Sequence, residues 1–63
     1  MADYPRYFIV DDIPVKLELT PDGLVRGITA AGVPFAVFEA TLLGKEVTLS
    51  DFNTAASRLA ASL

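Results

Sequence analysis

The chain alternates between short apolar runs and turn-forming clusters, and the period of the apolar positions changes along it. Arg6 to Val10 is aromatic and β-branched without a break (Tyr7, Phe8, Ile9, Val10), which suits a strand. Val15 to Thr20 alternates strictly, with Val15, Leu17 and Leu19 on one side and Lys16, Glu18 and Thr20 on the other. That is the pattern of a half-buried antiparallel strand. Leu24 to Ala30 forms a third run with Leu24, Arg26, Ile28 and Ala30 on one side; Gly27, on the other, marks a bulge or a close backbone approach. Turn signals separate these runs at Asp11-Asp12-Ile13-Pro14, Pro21-Asp22-Gly23, Ala31-Gly32 and Gly44-Lys45. Thr20-Pro21-Asp22-Gly23 has the composition of a hairpin turn, with proline pre-setting φ at the first corner and glycine accepting a positive φ.

Residues 33–43 send a divided signal. As a strand, the segment would pair across Gly44-Lys45 with Glu46 to Leu49 through a type II′ turn. As a helix over 34–43, it would place Pro34 at the first helical position and Gly44 just past the end, with Phe35, Phe38 and Leu42 on a shared face. Phe35, Val37 and Phe38 favour a strand; Ala36, Glu39, Ala40, Leu42 and Leu43 favour a helix. The strand is the expectation adopted.

The last segment has a helical period. Phe52, Ala55, Ala56, Leu59, Ala60 and Leu63 fall at i, i+3, i+4, i+7, i+8 and i+11, with Ser50 or Asp51 as the expected N-cap. A helix of about 12 residues is marginal alone, so its stripe must dock; the face carrying Val15, Leu17 and Leu19 is the expected site. Strands first and helix last predict an α+β fold: an antiparallel β-meander of four to five short strands followed by one C-terminal amphipathic helix. A small SH3-like barrel is the alternative.

Composition sharpens this picture. The chain has 63 residues, enough for one domain spanning 1–63, and is 52% hydrophobic. Its mean hydropathy is +0.46. A domain of this size buries only about 60% of the surface its unfolded chain exposes, so a sphere this small cannot hide so many apolar side chains. Disulfides and a thiolate or imidazole metal site are excluded, because there is no Cys and no His. Association is the remaining route to stability, and a homodimer, or a contact with a larger protein, is expected. The residues expected to form that contact are Phe35, Val37, Phe38 and Leu42, with the outer side of the C-terminal helix as the alternative. Ala56 and Ala60 in that helix have the small-xxx-small spacing that lets helix backbones approach closely.

Charge and candidate chemistry narrow the function. A net charge of −3 argues against a polyanion partner. A β-rich nucleic-acid module would need Arg6, Lys16, Arg26 and Lys45 gathered on one face beside stacking rings. The six aromatic residues (Tyr4, Tyr7, Phe8, Phe35, Phe38, Phe52) are expected in the core and subunit contact instead. Asp11-Asp12 could offer oxygens to a hard cation, but one pair is not a site and turn composition alone accounts for both residues. A metal- or ligand-binding subunit with its site across a dimer interface is the reading that would use them. Asp22 and Arg26 near a hairpin tip are expected to be solvated. Thr41, Ser50, Ser57 and Ser62 have no His or Ser-x-x-Lys partner to activate them. No catalytic residue, metal ligand or cofactor site is assigned. The longest apolar stretches fall far short of the roughly 20 residues of a spanning helix, and the start Met1-Ala2-Asp3-Tyr4-Pro5 lacks a basic n-region. A cytoplasmic, non-enzymatic interaction or accessory module is the expectation.

Overall fold

The structure is a computed structural model that describes residues 4–61. Its elements are β1 (Arg6–Val10), β2 (Ile13–Leu19), β3 (Val25–Thr29), β4 (Pro34–Phe35), α1 (Val37–Leu43), β5 (Lys45–Val47) and α2 (Leu49–Ala61). The strands form one five-stranded antiparallel sheet in the order β4-β3-β2-β1-β5. The architecture is α+β, an antiparallel sheet followed by a C-terminal helix, and the sheet is not closed into a barrel.

Each turn has a local cause. Val10 pairs with Ile13 across Asp11 and Asp12, whose φ values are 48° and 68°. Positive φ at both corners is the type I′ geometry that matches strand twist, and Asp is among the few side chains that tolerate it. The next two turns are built alike, on Thr20-x-x-Gly23-Leu24 and Thr29-x-x-Gly32-Val33. In each, the glycine N–H donates to the threonine carbonyl at 2.9 Å, and the residue after the glycine donates its N–H to the threonine Oγ1 at 3.1 Å. Gly23 and Gly32 take φ of 82° and 85°, which closes the turn at no steric cost.

Residues 33–43 correct the strand expectation. Only Pro34–Phe35 pairs in the sheet, and Val37–Leu43 is helical. Proline has no N–H for a longer ladder, and the helix formers Glu39, Ala40, Leu42 and Leu43 prevail over Val37 and Phe38. The helix start also differs from the alternative expectation: Val37, not Pro34, is the first helical residue, and Ala36 precedes it. No hairpin forms at Gly44-Lys45. Instead α1 carries the chain across one sheet face to the opposite edge, where β5 pairs with β1 (Tyr7↔Val47, Ile9↔Lys45). Gly44 fits there because a Cβ would press on the Ala40 carbonyl oxygen and Val10 Cγ2.

The core lies between α1 and one sheet face. Phe8, Val10, Val15, Leu17 and Ala40 are buried, and Tyr4, Val25, Phe35 and Val37 pack around them. The register explains the set, since residues paired across strands share a face: Phe8 with Val15, and Leu17 with Gly27, which pairs with Phe35. A Cβ at Gly27 would run into the Phe35 carbonyl oxygen and the Leu17 side chain, so glycine permits the close approach of β4.

The C-terminal helix docks on the opposite face from the one expected. α2 lies against β1 and β2, and the Tyr7 and Phe52 rings meet at 4.9 Å between centroids. Tyr7 and Ile9 alternate with Phe8 and Val10, so β1 is apolar on both sides and is covered on both. The Val15–Leu17 face is taken by α1. The cap differs too: Thr48, not Ser50 or Asp51, receives the Asp51 N–H on its Oγ1 at 3.1 Å. Leu63 and Ser62 lie outside the described residues.

Candidate interaction surface

α1 has seven residues, and Glu39 is its only ionisable side chain. Its inward side is set by Ala40, which is wholly buried, and by half-buried Val37. Advancing 100° per residue from Ala40 puts Phe38 and Leu42 on the opposite side. They are 73% and 66% exposed. The helix therefore seats its smallest side chain on the sheet and directs two large ones into water. The Thr41 hydroxyl donates within the helix, to the carbonyls of Val37 and Phe38 at 3.1 Å, so it offers little polarity outward. The contact of Gly44 with Val10 places the C-terminal end of α1 over the end of β1, beside Ile13 on the same face. Leu43 and Ile13, both exposed, extend the apolar surface there.

The expected contact residues thus divide. Phe38 and Leu42 are free on the surface, whereas Phe35 and Val37 pack against the core. Leu43 and Ile13 were missed, because their place depends on the crossover that brings α1 over β1. The alternative seam on α2 also divides: Ala56 is half-buried against the sheet and Ala60 is exposed. Of the aromatic residues, Phe8 is core, Tyr4 and Phe35 pack on it, Tyr7 stacks with Phe52, and Phe38 alone is a large exposed ring.

The polar candidates are dispersed. Asp11 and Asp12 form the β1–β2 turn. Asp12 also borders an open groove of about 670 Å3, with Ile9 as floor and Asp51, Thr54, Arg58 and Leu59 of α2 along the far side. Among the described residues no three His, Cys, Asp or Glu side chains gather as metal ligands. Arg26 does not join Asp22; it meets Glu18 (Nε–Oε2 2.7 Å), which also contacts Lys16 at 3.2 Å. These hydrogen bonds, Arg26's first, hold the Glu18 carboxyl below the ordinary carboxylate range. Arg6 grips Glu46 with two hydrogen bonds (2.9 and 2.7 Å), clamping β1 to β5. That pairing lowers the Glu46 pKa and raises that of Arg6. Arg6, Lys16 and Arg26 are therefore each engaged with a carboxylate rather than lining a basic groove. Ser50 and Ser57 lie exposed on α2, and the Ser50 carbonyl accepts the Thr54 hydroxyl.

Among the described residues no helix is long and apolar enough to cross a membrane. No protein-family model matches this chain, and no curated protein or solved structure shows significant similarity to it, which leaves the chemistry of its own surface as the guide to function.

Proposed function

We propose that this chain is a non-enzymatic protein–protein interaction module that acts in the cytoplasm as a homo-oligomer, with the outward side of α1 as its contact. One observation carries the reading: a helix whose only charge is Glu39 turns Phe38 and Leu42 to solvent while Ala40 faces the sheet. A helix that is apolar nearly all round belongs in an interior, and here half of that interior is missing. The wider composition agrees, since in a chain that is 52% hydrophobic the buried hydrophobic side chains among the described residues are Phe8, Val10, Val15, Leu17 and Ala40. Light scattering over a concentration series tests the reading. The expected mass is at least twice the 6.7 kDa of one chain. A single-chain mass at every concentration would overturn it.

A further inference from the structure

We infer that α1 is the seam of a two-fold pair: it packs antiparallel on α1 of a second copy, with Phe38 of each chain against Leu42 of the other. This rests on the homo-oligomer reading and specifies its geometry. The first support is area. A folded monomer of 6.7 kDa should expose roughly 3,900 Å2. This chain exposes 4477 Å2, an excess of roughly 550 Å2 on that scaling. That excess belongs to the whole surface; two copies that covered all of it would bury roughly 1,100 Å2, close to the roughly 1,000 Å2 a specific interface needs.

The second support is self-complementarity. A two-fold contact must bring residue i to j and j to i. Phe38 and Leu42 stand one helical turn apart on the outward line of α1, on either side of its midpoint. Reversing a second α1 about that midpoint therefore sets a large ring against a leucine twice.

The third support is that the sheet edges and the inner side of α2 are closed to a partner. The sheet edges are β4, two residues beginning with Pro34, and β5, three residues beginning Lys45-Glu46. Short edges with proline and charge resist strand addition, and Glu46 is already tied to Arg6. The apolar stripe of α2 faces its own sheet.

The geometry has a direct chemical readout. Glu39 stands about 80° from the outward direction, next to the midpoint, so in the antiparallel pair it and its symmetry mate border the seam on the same side, separated by about the 8–10 Å of two packed helix axes. The chain has no cysteine, so one introduced thiol is an unambiguous probe. Glu39→Cys is treated with a short bismaleimide, which spans two thiols at that separation, beside a control, Asn53→Cys, on the exposed side of α2. The expected result is a covalently linked pair for Glu39→Cys and none for Asn53→Cys. Adding Phe38→Glu, or Leu42→Glu should the first variant lose its circular dichroism, is expected to remove the cross-link and weaken association roughly 30-fold or more, as loss of a buried anchor does. A paired mass with no Glu39→Cys cross-link and no response to either substitution would overturn this seam and leave the oligomer reading standing. A single-chain mass at every concentration would overturn both.

Discussion

The two helices of this small fold solve different problems. α2 is an ordinary amphipathic helix: Phe52, Ala55, Ala56 and Leu59 are half-buried, and Asn53, Ser57 and Arg58 are exposed. Its polarity matches its place, apolar towards β1 and β2 and polar towards water. α1 breaks that match. It meets the sheet through Ala40 and Val37, yet its far side carries Phe38 and Leu42. A helix that only sealed the sheet would reverse this arrangement, with large residues inside and small polar ones out. The contrast separates two kinds of apolar residue: those that α2 and the inner side of α1 use to fold the chain, and those that α1 leaves in water.

Substitutions on the two helices should therefore have opposite signatures, and the largest effect lies at Phe38. Phe38→Asp is expected to cost about 2–4 kcal/mol of association, as removal of an aromatic anchor does, while leaving the unfolding midpoint of the dissociated chain nearly unchanged. Phe52→Ala on α2, where the ring packs on Tyr7, should do the reverse, lowering stability by about 2 kcal/mol without altering the mass. Sedimentation equilibrium and urea unfolding on both variants make the comparison. If Phe38→Asp unfolds the monomer, or Phe52→Ala dissociates the assembly, the division of labour is wrong.

The inward side of α1 provides the next test. Ala40 has no exposed surface, and its neighbours are Phe8, Val10, Val15 and Leu17. Ala40→Leu should overpack this space and cost about 1–3 kcal/mol. Ala60→Leu, on the exposed part of α2, should change stability by less than about 0.5 kcal/mol. Equal effects in urea unfolding would mean that α1 does not sit on the sheet through Ala40.

The same contrast explains what the sequence revealed. α2 was legible because its stripe repeats over several turns, and β2 because Val15, Leu17 and Leu19 alternate without interruption. β1 is legible as a strand, and its unbroken apolar run requires a cover on both faces, for Tyr7 and Ile9 as much as for Phe8 and Val10. α1 was not legible, since seven residues are too few for a period of 3.6 to separate from a short apolar strand. That ambiguity spread to the candidate site. Strand and helix alike set Phe38 with Leu42 and apart from Val37; which side meets the sheet is decided only when α1 lies over β1, with Val37 and Ala40 inward. The residue types pointed to an interface; the partition between core and surface depended on a crossover that no local propensity encodes. The Thr20-x-x-Gly23 turn is legible from its proline and glycine, whereas the matching role of Thr29 before Gly32 rests on a side-chain hydrogen bond that composition does not signal.

Capping gives a smaller contrast. α2 begins on Thr48, whose Oγ1 accepts the Asp51 N–H, while α1 begins on Ala36, which has cap-like backbone angles (φ −66°, ψ 125°) and no side chain to use them. Thr48→Ala should cost about 1 kcal/mol, and Ala36→Ser should add about 0.5–1 kcal/mol. Both are read from urea midpoints. Ala36→Ser should leave association intact, since it strengthens α1 without touching Phe38 or Leu42; a loss of association on that change would place the cap, not the outward face, at the seam.

The smallest expected effect lies outside both helices. Glu18, bonded to Arg26 and then Lys16, and Glu46, bonded to Arg6, both have pKa values lowered by these partners. A carboxylate with a lowered folded pKa binds protons more readily in the unfolded chain. It therefore contributes stability at neutral pH, and that contribution fades as pH falls below about 4.5 through the folded values. Both groups are solvent-exposed, so water and salt screen the pairs, and the loss should be smaller than that of either cap change. The pairs brace β2 to β3 and β1 to β5, so acid should weaken the sheet itself. The test is thermal unfolding of the native chain and of the Glu18→Gln/Glu46→Gln double variant between neutral pH and pH about 3. The native chain should lose more stability on acidification, and high salt should narrow the gap. Parallel curves at low salt would show that these ion pairs decorate the sheet without bracing it.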